Sequence, residues 1–258
     1  MLGKLTFLGT GTSQGVPVIT CECDVCISTD NKDKRLRTSA LIEVGDKTIL
    51  IDSGPDFRQQ MLREKVKSLD AILFTHEHKD HIAGTDDVRA FNHRQQRTME
   101  VFCTLPVEHA LKREFHYAFE PVDKRYPGVP SININSIKNY PFEVSGVEIT
   151  PIEVWHHKMP VLGYRIGNMA YITDANRIEN EELKKLEGLD VLVLNSLRKS
   201  YHISHFTLDE AVALAKKLKP KMTYLTHISH LLGKHNEVNA ALPENIKLAF
   251  DGLKVDFS

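Results

Sequence analysis

The sequence of 258 residues lacks an excess of either charge, since 33 basic residues face 34 acidic ones and the formal net charge is -1. It also lacks any apolar run near the ~20 residues that a membrane-spanning helix needs. The first absence argues against bulk nucleic-acid binding, which usually requires a basic surface. The second argues against membrane insertion. Because the first residues lack the long apolar region of a signal peptide, we expect a cytoplasmic protein.

Internal repeats, low-complexity tracts and linkers rich in Pro or Ser are absent too, so we predict one domain over residues 1–258. A chain of this length buries roughly 70–75% of its unfolded surface and needs no disulfide. It has only four cysteines. Cys21, Cys23 and Cys26 lie too close together for ordinary disulfides, and such a cluster in a reducing compartment typically binds metal. Cys103 stands alone and is predicted to lie in the core.

The apolar patterning predicts an α/β protein in which sheets are sandwiched between helices. Strand-like runs occur near residues 5–8, 40–44, 48–51, 71–75, 147–155, 169–173, 191–195 and 222–226. Helical periodicity fits residues 57–66, 106–118, 180–186 and 207–218. Residues 117–140, rich in Pro, Gly and Asn, are predicted to form a loop.

The most informative segment is residues 75–81, Thr-His-Glu-His-Lys-Asp-His, directly after a buried strand. Neutral imidazoles and carboxylates are the ligands that borderline and hard divalent metals prefer. Four such donors in so short a loop point in different directions and cannot all serve one ion. We therefore expect two metal ions, one bound by His76 and His78 and the other by Asp80 and His81.

Other predicted strands also end on residues able to bind metal. These residues are Asp52, the pair His156 and His157, Asp174 and His227. A single Asp after a strand means little, because Asp often begins a turn. In α/β proteins, however, sites are built where strands end. Four such ends beside the histidine loop indicate one site.

The Thr-His-Glu-His-Lys-Asp-His segment resembles the signature of the metallo-β-lactamase superfamily, whose fold is a four-layer αββα sandwich. This resemblance implies a metal-dependent hydrolase with two metal ions. It assigns His76, His78 and His157 to the first ion, Asp80, His81 and His227 to the second, Asp174 to a bridge and Asp52 to orienting the histidine loop. Either His156 or His157 fits the third position of the first ion, and the spacing to Gly163 favours His157.

Three further features narrow the resemblance. They are the Gly-rich turn at residues 9–17, the cysteine cluster with Thr-His-Ile-Ser-His at 226–230, and Ser-His-Phe-Thr at 204–207. Together they resemble the phosphoribosyl 1,2-cyclic phosphate phosphodiesterases of the carbon–phosphorus lyase pathway and, more distantly, ribonuclease Z. The resemblance implies a structural Zn²⁺ on Cys21, Cys23, Cys26 and His230 in a loop around residues 15–37. It also implies Mn²⁺ in the active site, with Zn²⁺ or Fe²⁺ as alternatives, and a homodimer.

The resulting hypothesis is a phosphodiesterase that acts on a small, cyclic, phosphoribosyl or nucleotide-like phosphodiester. Asp80 and His205 are its catalytic candidates. His205 would protonate the departing oxygen. The alternative is that His205 only neighbours the N-terminus of the following helix, as a residue of its cap region. Arg89 would contact phosphate or a structural carboxylate. The alternatives for function are a ribonuclease Z-like RNA phosphodiesterase, a thioester or lactone hydrolase, and a metal-binding module without catalysis.

Overall fold

The computed structural model describes residues 2–258, which form two β-sheets and the helices that cover them. The first sheet contains the strands β1 (Gly3–Gly9), β2 (Ser39–Val44), β3 (Lys47–Ile51), β4 (Ala71–Leu73), β5 (Met99–Cys103), β6 (Ile132–Ser136) and β15 (Lys254–Phe257). The second contains β7 (Phe142–Val144), β8 (Val147–His156), β9 (Met159–Ile166), β10 (Met169–Tyr171), β11 (Arg177–Ile178), β12 (Val191–Asn195), β13 (Met222–Thr226) and β14 (Ile246–Leu248).

The helices are α1 (Phe57–Glu64), α2 (Lys79–Ile82), α3 (Arg89–Gln95), α4 (Leu105–Glu114), α5 (His116–Phe119), α6 (Asn180–Lys184), α7 (Leu208–Leu218) and α8 (His235–Ala240). Residues of α1, α3 and α4 pack on the outer face of the first sheet, and residues of α7 and α8 pack on that of the second. The first sheet has the order β15-β1-β2-β3-β4-β5-β6, and the second has the order β11-β8-β9-β10-β12-β13-β14 with β7 beside β8. Strands β3 to β6 are parallel, and so are β10, β12, β13 and β14.

Apolar residues on both faces of the strands explain the layering. In β3, Ile49 and Ile51 face the core between the two sheets, whereas Leu50 packs under the helices of the first sheet. In β12, Val193 faces the same inter-sheet core and Leu194 packs under the helices of the second sheet. Strands buried on both faces need an apolar residue at every position. The predicted four-layer αββα sandwich is confirmed.

Most predicted elements lie within a few residues of the observed ones. Residues 106–118 break at Phe115 into α4 and α5. The predicted loop at residues 117–140 is wrong in part, because β6 lies inside it. β6 is the last strand of its sheet, and the side chains of Asn133 and Asn135 donate to Glu100 on β5, at 2.8 and 2.7 Å. Among residues 2–258, no helix is both long and apolar enough to cross a membrane.

Candidate metal centre and active site

Four segments that follow parallel strands meet at one edge of the sandwich. Asp52 follows β3, residues 75–81 follow β4, Asp174 follows β10 and His227 follows β13. Asp52, Asp174 and His227 have φ values of 61, 54 and 55°, in the left-handed region. This conformation costs a residue with a side chain on the order of 1 kcal/mol and persists only where surrounding structure imposes it. Such strain is concentrated at functional sites.

The fully buried carboxylate of Asp52 orients the histidine loop. It accepts hydrogen bonds from the Thr75 backbone N–H and hydroxyl, both at 2.8 Å, and from Nδ1 of His81 at 2.7 Å. Because the Thr75 hydroxyl gives its proton to Asp52, it accepts from Nδ1 of His76, 2.9 Å away. Both rings therefore carry their proton on Nδ1 and keep Nε2 for a metal.

Nε2 of His81 faces two carboxylates. It lies 3.2 Å from Oδ2 of Asp80 and 3.3 Å from Oδ2 of Asp174, yet it has no hydrogen-bond partner among residues 2–258. Burial disfavours a charged imidazole, but Asp174, Asp80 and Asp52 together raise the pKa of His81 well above its ordinary value. Although burial opposes its ionisation too, Asp80 has its pKa lowered by His81. The site thus favours positive charge, which a divalent cation would supply.

A second group of donors lies beside it. Nε2 of His76 is 3.0 Å from Nδ1 of His78, and a nitrogen of His156 completes a set within 4.8 Å of one another. Nδ1 of His156 lies 2.9 Å from the carbonyl oxygen of Ser204, which can only accept, so this ring also keeps Nε2 free. His78 is exposed, and this side of the cluster is open to solvent.

The prediction that favoured His157 over His156 is wrong. Along β8, Val154 and His156 are buried on one face and Trp155 is on the other. The strand ends at His156, and His157 is an exposed turn residue with φ 58°. Because side chains alternate along a strand, a one-residue error at its end selects the wrong face. His156 therefore replaces His157 as the candidate ligand.

Asp174 lies at the centre of the remaining donors. Its Oδ2 is 3.2 Å from Nδ1 of His227, in addition to its contact with His81. Burial opposes ionisation of Asp174, but His227 and His81 hold its pKa well below the usual range. Burial lowers the pKa of His227 to about 3, so this ring is a neutral donor. Bonds of ~2.1 Å at tetrahedral angles separate two ligand atoms by about 3.4 Å, close to these spacings.

His205 contacts the other side of the same carboxylate. Its Nε2 lies 3.1 Å from Oδ1 of Asp174, and its Nδ1 lies 3.0 Å from the Ser204 hydroxyl and 3.2 Å from Nδ1 of His202. The N-cap of α7 is Thr207, whose side chain accepts from a backbone N–H inside the helix. His205 is therefore not the cap residue; it is a buried imidazole that forms a further group of donors with His156 and Asp174.

Arg89 lies outside the donor clusters. Its guanidinium pairs with Asp86 at 3.2 Å, and its side chain is about half exposed. Asp86 also accepts the Tyr117 hydroxyl proton. Of the two alternatives for Arg89, the carboxylate contact is the one that the structure contains.

The three clustered cysteines surround one imidazole. Sγ of Cys21, Cys23 and Cys26 lies 3.3, 3.3 and 3.5 Å from Nδ1 of His230. Zn–S bonds of ~2.3 Å and Zn–N bonds of ~2.1 Å at tetrahedral angles predict about 3.6 Å. A backbone hydrogen bond from Cys26 lowers the pKa of Cys23 to about 6, whereas burial raises the pKa of Cys26 to about 11. Three thiols and one imidazole fit a closed structural zinc site.

The cysteine cluster and the active site share one segment, since His230 comes three residues after His227. The Gly-rich turn pairs with the same segment. The N–H of Thr12 donates to the carbonyl of Ile228, and the Thr12 hydroxyl lies 3.3 Å from Nε2 of His227. Order in the cysteine loop is thereby linked to the position of His227.

Sequence reasoning missed two residues of this site. His202 contacts His205, and Asn176 joins the two loops that carry His156 and His205. The spacing of His202, three residues before His205, was a visible signal for the first. No motif marks Asn176. Cys103 is fully buried at the end of β5, as predicted.

Comparison with known proteins identifies the class of protein to which this fold and site belong. Residues 47–228 match the family described as a β-lactamase superfamily domain. The chain therefore belongs to the metallo-β-lactamase superfamily, as the sequence predicted. Within it, the chain is similar to the protein in the crystal structure of a new diphosphatase from the PhnP family. The two are 42% identical with a TM-score of 0.93, over 100% of this chain and 98% of that one.

Two other proteins are similar to this chain, one over about half of its own length and one at low identity. An octanoyltransferase of Porphyromonas gingivalis (strain ATCC BAA-308 / W83) is 40% identical over 97% of this chain but only 51% of its own length. The chain thus spans about half the length of the curated relatives that it matches. Zn²⁺-bound PqqB from Methylobacterium extorquens is 18% identical with a TM-score of 0.78, covering 98% of this chain and 99% of that one, and shares the fold.

Proposed function

We propose that this protein is a metal-dependent phosphodiesterase that hydrolyses a small, cyclic or nucleotide-like phosphodiester in the cytoplasm. The observation that carries the proposal is the environment of Asp174. One of its oxygens faces the imidazoles of His81 and His227, and the other faces His205. A metal-binding carboxylate with a separate buried imidazole against it suits P–O cleavage with protonation of the leaving oxygen. The similarity to a PhnP-family diphosphatase supports phosphorus as the reacting centre.

The residues divide into two ligand sets that share Asp174. His76, His78 and His156 would hold one divalent cation, and Asp80, His81 and His227 the other. The mixed nitrogen and oxygen donors accept Mn²⁺, Zn²⁺ or Fe²⁺, with Mn²⁺ our preferred assignment. When bound, two such ions supply an activated water and neutralise charge on the phosphate.

Other residues of the site orient the metal ligands or protonate the leaving oxygen. Asp52 fixes the proton positions on His76 and His81, so that both rings present a lone pair. His205 would deliver a proton from Nε2 to the departing alkoxide, a contribution of typically 10²–10⁴-fold. His202 and the Ser204 hydroxyl hold its Nδ1 edge. The near-zero net charge favours a small substrate over RNA.

A substrate panel tests this function. Purified protein reconstituted with Mn²⁺ should hydrolyse bis(p-nitrophenyl) phosphate and a 2′,3′-cyclic nucleotide, and leave pre-tRNA intact. An octanoyl thioester and a lactone belong in the same panel, because they test the thioester or lactone hydrolase alternative. The thioester carries an octanoyl group because one relative, of which the match covers 51%, is named an octanoyltransferase. Activity confined to the thioester or the lactone would refute the phosphodiesterase, and cleavage of pre-tRNA alone would favour the RNA-processing alternative.

His205→Ala should slow the hydrolysis of substrates with alkoxide leaving groups by about 100-fold or more, because these need protonation to depart. Hydrolysis of p-nitrophenyl esters should change much less, since p-nitrophenolate leaves without a proton. The comparison of kcat for the two substrate classes measures the effect. Equal slowing of both classes would show that His205 supports the structure rather than the leaving group.

A further inference from the structure

Asn176, two residues after Asp174, joins two loops of the active site. Its backbone N–H donates to the carbonyl of Trp155 at 2.9 Å. Its side-chain Oδ1 accepts the N–H of His157 at 2.9 Å, and its Nδ2 donates to the carbonyl of Ile203 at 3.0 Å. One amide side chain thus connects the turn after β8 with the loop before α7.

The hydrogen bond from the N–H of His157 to Asn176 stabilises a strained turn. His157 has φ 58°, a conformation that residues with side chains seldom adopt. Its N–H is satisfied by Oδ1 of Asn176. This turn ends β8 with His156 directed into the cluster and His157 directed to solvent.

The hydrogen bond from Asn176 to the carbonyl of Ile203 fixes the loop that carries His205. The carbonyl of Ile203 is held by Asn176, and the carbonyl of the next residue, Ser204, accepts from Nδ1 of His156. His205 follows immediately and places Nε2 3.1 Å from Asp174. A shift of this backbone would therefore move His205 relative to Asp174.

We propose that Asn176 is a positioning residue: it holds the loop at residues 198–206 so that His205 faces the leaving oxygen of the substrate. The proposal rests on the acid role given to His205 above. It adds a requirement for an amide at residue 176. A carboxylate there could accept from the N–H of His157 but could not donate to Ile203, and its charge would repel that carbonyl.

Two variants and one control isolate this role. Asn176→Asp keeps the acceptor and loses the donor, whereas Asn176→Leu, of similar size and without charge, loses both. Asn92→Asp is the matched control, because Asn92 makes the same kind of contacts with residues outside the donor clusters. Its Oδ1 accepts the N–H of Ser131 at 2.9 Å and its Nδ2 donates to the carbonyl of Arg97 at 2.9 Å.

Asn176→Asp and Asn176→Leu should each lower kcat for alkoxide leaving groups by about 10-fold, in the range for lost supporting contacts of a site. Asn176→Asp keeps the acceptor for the N–H of His157, so its KM and its rate with p-nitrophenyl esters should stay close to those of the parent. In the His205→Ala background Asn176→Asp should not slow the reaction further, because both changes remove the same contribution. The control should match the parent protein in every rate.

Amide hydrogen exchange of the metal-free protein gives a readout that does not depend on turnover. The N–H of Phe206, bonded to the carbonyl of Ala175 at 2.7 Å, should exchange faster in both Asn176 variants. Three results with Asn176→Asp would each overturn the positioning role: unchanged exchange at Phe206, additive slowing in the His205→Ala background, or loss of bound metal. If His205→Ala shows no leaving-group dependence, the acid role fails, and exchange at Phe206 alone decides whether Asn176 holds the loop.

Discussion

Asp174→Asn should nearly abolish hydrolysis of every substrate and reduce the bound active-site metal. The side chain is almost fully buried, and its oxygens contact His81, His227 and His205. An amide of the same shape removes the negative charge and turns one acceptor into a donor. We expect activity to fall by well over the ~100-fold upper range for supporting contacts, because the proposed site would lose the ligand that its two cations share.

Asp174→Asn changes the charge of the side chain without disturbing the backbone conformation. Asp174 has φ 54°, and Asn tolerates this left-handed conformation as well as Asp does. Asp70→Asn is the control, since Asp70 precedes β4 at the end of the strand away from the histidine loop and bonds Thr48 and Arg97. Metal analysis and kcat on bis(p-nitrophenyl) phosphate measure both variants. Full metal content with at least a tenth of the parent activity in Asp174→Asn would refute the shared ligand.

The centre of the site was predictable because it follows from the parallel strands. Within each sheet, residues that end parallel strands emerge at the same edge, which groups the ends of β3 and β4 in the first sheet and those of β10 and β13 in the second. Strand ends alone therefore predict Asp52, Asp174 and His227 as site residues. The same argument required only approximate strand boundaries.

Residues whose role depends on a single register or on loop conformation were harder to predict. The choice between His156 and His157 depends on which residue is the last of β8. The predicted strand ends at residue 155, whereas β8 ends at His156. Asn176 acts through a carbonyl 27 residues away, at Ile203, and no local pattern encodes that contact. β6 was missed because its Asn residues disfavour strands, a preference that pairing with Glu100 on β5 overrides.

Cys23→Ser should remove about one zinc per chain and destabilise the protein, while the active-site metals remain bound. At a free zinc concentration about 1,000-fold above the dissociation constant, a site confined to the folded state contributes about 4 kcal/mol to the free energy of unfolding. Cys23 suits the test because a backbone hydrogen bond from Cys26 lowers its pKa and so favours the thiolate that zinc binds, and because it is only half-buried. Zinc analysis and thermal unfolding measure the change.

Cys103→Ser is the control for the loss of a cysteine. Cys103 is fully buried beneath the helices of the first sheet, so Ser there should lower stability through its buried hydroxyl and leave the zinc content unchanged. Because His230 and His227 share one segment, Cys23→Ser should also reduce kcat more than Cys103→Ser does at a temperature where both are folded. Unchanged zinc content in Cys23→Ser would show that the three thiols do not form a metal site.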